Sequence, residues 1–293
     1  MPEASNVNRS SKRMSREVRA AEPIHVTHVT VALAALGFLL WGIAYLMLWK
    51  FPTETRFEWI IGFIGPLLIA AAALNHIDHH KRRFGSTALV LFNLGFILSA
   101  VAWLPYALDP SLLGQAEWTR YVYVTRGLAW IAGTVGVLVV IRLKKNRLAH
   151  SDKSAESEIH ATFFQLWVLA CGMLIYGIST IGIITDRFES LFSWLTVLGP
   201  VIIAIAIIAH LEHLSLRIGV PAVALAIIGA IAWAAKNYFV TATDLIMEPN
   251  WTMFMVYGWL GVAYALGAAS CLLVLFHKRA WEAENDRSNH GVE

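Results

Sequence analysis

Three histidines, His76, His79 and His80, surround Asp78 in the segment "NHIDHH". A diluted copy, "AHLEHL", sets His210, Glu212 and His213 in the same pattern 134 positions later. Residues three or four apart share one face of a helix. Imidazole is the commonest protein metal ligand, and a carboxylate beside it either orients the second ring nitrogen or ligates directly. His76, Asp78 and His79 form one candidate metal set, and His210, Glu212 and His213 the other. His25 opens the apolar stretch before the first pattern, and His160 does so before the second. In an antiparallel helix pair the start of one helix and the end of the next share a level, which brings His25 toward His76 and His160 toward His210. Paired imidazoles of this kind would hold a b-type haem, with Arg82, Arg83 and Arg217 available to its propionates. The competing reading is anchoring, because helix C-termini and the headgroup level both favour partly cationic side chains. His28, His80, His150, His277 and His290 have no counterpart at the repeat distance and fall under it.

The five residues His76–His80, "HIDHH", resemble one histidine box of the membrane desaturase and hydroxylase class. That resemblance implies two irons bound at the cytoplasmic surface by three such boxes. Here "HVTHV" and "HLEHL" lack the final paired histidine of the pattern.

The elements that must position these residues follow from composition. Of the 293 residues 57% are hydrophobic and 15% charged, with a mean hydropathy of +0.59, which describes an integral membrane protein rather than a soluble core. A bilayer core needs roughly 20 apolar residues per helix. Eight stretches qualify: 28–49, 57–77, 86–107, 121–143, 161–184, 190–212, 217–239 and 253–276, the third weakened by Pro105. Seventeen of the 23 Lys and Arg residues fall on one side of this arrangement, which puts both termini in the cytoplasm of a cell (inner) membrane protein. All eleven histidines fall on that same side. Trp49, Trp59, Trp118 and Trp251 lie near the opposite ends, as interfacial anchors do. Cys171 and Cys271, inside apolar stretches, read as inert buried thiols. A modest net charge of +3 gives no reason to expect nucleic acid as a partner.

Sliding the chain along itself by 134 or 135 residues aligns more than histidines. Gly37 and Gly42 meet Gly172 and Gly177, Gly65-Pro66 meets Gly199-Pro200, and Gly85, Gly95 and Gly127 meet Gly219, Gly229 and Gly261. The expected fold is all-α, with eight transmembrane helices in two parallel tandem four-helix repeats. An even number of crossings per repeat gives both copies one orientation, as in transporters with parallel repeats. Residues 23–145 and 159–280 are the repeats, 146–158 the cytoplasmic linker, and 1–22 and 281–293 cytoplasmic tails, the first disordered.

Few polar groups interrupt the spans. Asn93, Ser99, Gln165, Thr196 and Ser270 are expected to bond neighbouring backbone. Arg126 calls for a carboxylate partner such as Glu58, Asp109 or Glu117, or for snorkelling to the interface. No phosphate loop, nucleophile elbow or zinc-protease motif is present. The leading expectation is a membrane redox protein that binds haem b or iron through the paired histidines and exchanges electrons with quinone or a lipid. The alternatives are a transporter or channel for a metal ion or small solute, and a non-catalytic subunit or assembly factor working with a membrane partner. Whether the chain is an enzyme stays open.

Overall fold

The computed structural model describes residues 26–50, 56–149, 159–185, 189–242 and 254–290, and among these every regular element is a helix. In chain order they are α1 (His28–Lys50), α2 (Phe57–Asn75), α3 (Ile77–Phe84), α4 (Ser86–Val101), α5 (Leu104–Leu108), α6 (Ala116–Ala149), α7 (Phe163–Gly182), α8 (Glu189–Ile208), α9 (Leu211–Ile218), α10 (Val220–Ala242) and α11 (Trp259–His290). A π turn, Phe254–Gly258, leads into α11. Seven helices are long and apolar enough to cross a membrane, and α3 with α4 makes an eighth passage if that bent pair is one span. Leu36, Leu39, Ile64, Leu94, Ile205 and Ile231 are exposed. Apolar exposure of this kind is what a hydrocarbon surrounding accommodates and water does not.

Eight helices close into a ring: α1, α2, α4, α6, α7, α8, α10 and α11 pack in that order, and α11 returns to α1. Small residues set the joints. A Cβ on Gly37 would sit 2.7 Å from the Gly65 carbonyl oxygen, and one on Gly172 3.0 Å from that of Gly199. The same close approach joins α4 to α6 at Gly95 and Ala129, and α10 to α11 at Gly229 and Ala263. It recurs between α6 and α7 at Gly127 and Gly177, and between α11 and α1 at Gly261 and Gly42. With no hydrophobic drive between helices in lipid, such backbone proximity is the main source of packing. Pro66 and Pro200 lie inside α2 and α8 with fully buried side chains.

The histidine patterns do not close the second and sixth spans, as the sequence suggests. α2 stops at Asn75 and α8 at Ile208, and the chain turns at His76 (φ −118°, ψ 35°) and His210 (φ −109°, ψ 11°) into the separate eight-residue helices α3 and α9. The reason lies in the residues themselves: "IDHHKRRF" is too polar to continue through hydrocarbon. Both short helices end on a glycine in a conformation open only to glycine, Gly85 (φ 83°, ψ 152°) and Gly219 (φ 86°, ψ 143°). Between α3 and α4 the chain bends by 118°. The third passage is also shorter than its hydropathy implies, since α4 ends at Val101 and Pro105 starts the short α5.

The polar side chains within the spans bond to backbone as expected. Asn93 donates to the Leu89 carbonyl (2.9 Å), Ser99 to Gly95 (2.9 Å), Thr196 to Ser193 (2.6 Å) and Ser270 to Ala222 (2.7 Å). Gln165 closes a capping box with Thr162 and donates to the Ala209 carbonyl (2.6 Å), tying the start of α7 to the end of α8. At the corresponding end of α1 and α2, Asn75 donates to Thr27 (3.2 Å) and Thr30 (3.1 Å). Trp59 is not an interfacial anchor: it is 3% exposed and packs against Trp103 and Tyr106. Trp251 lies outside the described residues. Both cysteines are free, but Cys171 is exposed on the ring's surface rather than buried.

Candidate functional site

One end of the ring carries the histidines. On the first short helix the rings of His76 and His79 stack at 4.8 Å, and His80 stands edge-on to His76 at 5.5 Å. On the second, His210 and His213 lie 4.8 Å apart, and His160 stacks on His213 at 4.8 Å. The expected approach of His160 to His210 is thus made through His213. His25 lies outside the described residues, as does the side chain of Glu212.

His76 with His79, and His160 with His213, meet face to face, whereas a metal binds in the ring plane through a nitrogen. Among the described residues no three His, Cys, Asp or Glu side chains are grouped to hold a metal ion. His160 Nε2 lies 2.9 Å from the Arg217 guanidinium, so that nitrogen and that arginine engage each other. Arg82 and Arg83 are tied through their carbonyls, which accept from the Arg147 guanidinium at 2.5 and 3.0 Å and pin α3 to the end of α6. His76 Nε2 is buried and has no hydrogen-bond partner among the described residues.

α3 and α9 lie beyond the apolar ring helices, and two of these histidines are held below the ordinary imidazole range. For His210 burial dominates, followed by the positive charges of Arg217, Arg83 and Lys144. For His80 burial again leads, followed by His76 and Arg83. The folded protein therefore binds fewer protons at these sites than the unfolded chain, whose histidines titrate near 6.5. Stability from keeping the rings neutral is full above that value and is lost as the pH falls through it toward the depressed folded values. The melting temperature is expected to drop on acidification from pH about 7.5 to about 5.5. A His80→Gln, His210→Gln double variant should flatten that profile; a slope unchanged in the variant would assign it elsewhere.

Sequence reasoning missed a chamber of about 610 Å³ enclosed among the ring helices. Every one of the eight ring helices contributes to its wall, which is almost wholly apolar. His80 and Phe84 of α3 lie at its histidine end. Trp41, Trp130, Trp233 and Tyr264 form a floor near mid-ring, with Trp41 stacked on Tyr264 at 4.3 Å and Trp130 tilted against Trp233 at 4.9 Å. Trp233 Nε1 donates to the Tyr176 hydroxyl (3.2 Å), and Tyr176 stands edge-on to Trp130 at 5.3 Å. A signal for this floor existed: at the repeat distance Trp41 aligns with Tyr176, and Trp130 with Tyr264.

Arg126 pairs with no carboxylate among the described residues. Its guanidinium lies 5.6 Å from the centre of the Trp103 ring, enclosed by protein. Asp109, one proposed partner, accepts instead from the backbone and hydroxyl of Ser111 (3.0 and 2.7 Å), and Glu117 is exposed.

Comparison with protein-family models, with curated proteins and with solved structures finds no match to this chain.

Proposed function

We propose that this chain is a multi-pass protein of the cell (inner) membrane, with both termini cytoplasmic, whose central chamber holds a lipid-soluble molecule of the quinone or lipid class. The chamber carries the reading. It has the volume range of small-molecule sites, an aromatic and aliphatic wall, and very few polar groups. A molecule that dissolves in hydrocarbon gains dispersion contacts from such a wall without leaving hydrogen-bonding groups unmatched. Ser99 and His80 are the polar side chains best placed to orient it.

The same proposal takes the ring as two parallel four-helix repeats, residues 23–145 and 159–280. The matched backbone angles at His76 and His210 and at Gly85 and Gly219 support that division, as do the glycine joints repeated in both halves.

Titration of the purified protein with a short-chain quinone is expected to quench the fluorescence of Trp41, Trp130 and Trp233 saturably. Ala226→Phe, which places a phenyl ring into the chamber, should weaken that binding at least about tenfold by overpacking the site. Quenching that rises without saturation, equal in wild type and variant, would be partition into detergent and would end the proposal.

A second reading, a redox protein with haem or non-haem iron at the histidine end, draws support from one atom, the buried and unpartnered Nε2 of His76. It requires a ligand at that nitrogen. An absorption spectrum before and after dithionite, with elemental analysis, tests it: a Soret band or stoichiometric iron that disappears in His76→Ala supports the reading, and a colourless, iron-free preparation removes it.

A further inference from the structure

Beyond the chamber's aromatic floor the ring encloses two cations. Arg126 lies about one turn before Trp130 on α6, and Lys236 lies three residues after Trp233 on α10, both on the side away from the histidine helices. Hydroxyl groups from four ring helices, those of Tyr45, Tyr264, Tyr123 and Tyr176, stand within electrostatic range of the Arg126 guanidinium, and the Lys236 ammonium does too. Tyr45 also packs edge-on to Trp103 at 5.0 Å and stacks on Tyr264 at 5.6 Å, which links the ring under Arg126 to the chamber's Tyr264. Lys236 Nζ donates to Asn237 Oδ1 (3.2 Å), and Asn237 Nδ2 is committed to the Thr196 carbonyl (2.9 Å). Both side chains are half-buried, so each keeps part of its surface accessible.

Among the described residues no carboxylate pairs with either cation. Two like charges in a medium of low dielectric repel each other, and burial strips part of the hydration of each. The face of Trp103 and one amide oxygen supply no opposite charge. What the cluster does supply is a guanidinium fork that fits two oxygens, an ammonium and several hydroxyl donors, the donor set that recognises an oxyanion. We infer that Arg126, Lys236 and the tyrosines around them bind an oxyanion of the carboxylate or phosphate type. The oxyanion is either free or the acidic end of an amphipathic molecule whose apolar part lies in the chamber, because Tyr264 belongs to both places; this second form rests on the chamber reading above.

The test uses full-length protein in a neutral maltoside detergent, freed of oxyanions and titrated separately with inorganic phosphate, decanoate and decanol while melting temperature and tryptophan fluorescence are followed. An oxyanion is expected to raise the melting temperature saturably. Arg126→Gln and Lys236→Gln should each weaken that response at least tenfold and leave decanol binding unchanged. In oxyanion-free buffer both variants should melt no lower than wild type, since each removes one of two repelling charges; a purely structural arginine requires the opposite. Responses to phosphate and decanoate alike identify a free oxyanion, and a response to decanoate alone identifies the amphipathic form. The inference is overturned if neither oxyanion binds, if the variants bind as tightly as wild type, or if they melt lower or fail to fold without ligand. Should decanol fail to bind while the oxyanion response persists, the chamber reading falls and the anion site stands.

Discussion

Trp103→Ala is expected to cost about 3–5 kcal/mol, the range for truncating a buried aromatic side chain, and to lower the melting temperature by on the order of 10 °C. Trp103 is 1% exposed and sits where three elements meet. Tyr45 of α1 stands edge-on to it at 5.0 Å, Trp59 of α2 packs at 5.6 Å, and a Cβ on Gly62 would fall 2.5 Å from its Cζ3. Gly62 is therefore small because Trp103 is large, and α2 cannot collapse far into the cavity without moving its own joint with α1 at Gly65. Trp103 Nε1 is buried without a hydrogen-bond partner among the described residues, so the indole N–H contributes no bond that phenylalanine would forfeit. Trp103→Phe, which leaves a smaller cavity and keeps an aromatic face under Arg126, should accordingly cost less than Trp103→Ala. Equal losses in the two variants, measured by thermal unfolding in detergent, would show that the indole acts through something other than packing.

The helices were legible in the sequence because span length and hydropathy are averages, and averages tolerate errors of a few residues. Their inward faces were not legible. In water an amphipathic period marks the core side of a helix, but here the spanning parts of α1 and α4 are apolar all round, since lipid and protein interior ask for the same side chains. The chamber and the closure of α11 onto α1 leave no period to read. Small residues were the better guide: Gly37, Gly65, Gly127 and Gly177, aligned with Gly172, Gly199, Gly261 and Gly42, stand at helix joints where a Cβ would meet a neighbouring backbone. Histidines three residues apart do meet, His76 with His79 and His210 with His213, but on short separate helices rather than at the ends of the spans. A hydropathy window merges "NHIDHH" into the end of the preceding span, while the break at His76 depends on a single backbone turn that no window resolves. Arg126 was flagged as anomalous, yet its neighbours Tyr45, Tyr264 and Tyr176 come from helices far apart in sequence.

Gly85→Val should cost about 3 kcal/mol, the upper end for a residue forced into a glycine-only backbone region, and Gly219→Val should cost a similar amount. Lack of room is not the cause. The nearest atom to a Cβ at Gly85 is Leu143 Cδ2 at 3.4 Å, and at Gly219 nothing comes closer than 3.8 Å, both ordinary contacts. The penalty lies in the backbone, at φ 83° and 86°, where a β-branched residue is least tolerated. Its consequences at the two sites differ. Relief of strain at Gly85 rotates α3, which carries His80 and Phe84 at the end of the chamber and is tied to α6 through the Arg147 bonds to the Arg82 and Arg83 carbonyls. Gly85→Val is therefore expected to weaken quinone quenching as well as lower the melting temperature. At Gly219 the strain falls on α9, none of whose residues line the chamber, so Gly219→Val should destabilise the protein while the affinity of the remaining folded fraction stays at the wild-type value. Loss of affinity in both variants to the same degree would mean that the chamber responds to global loosening rather than to the placement of α3.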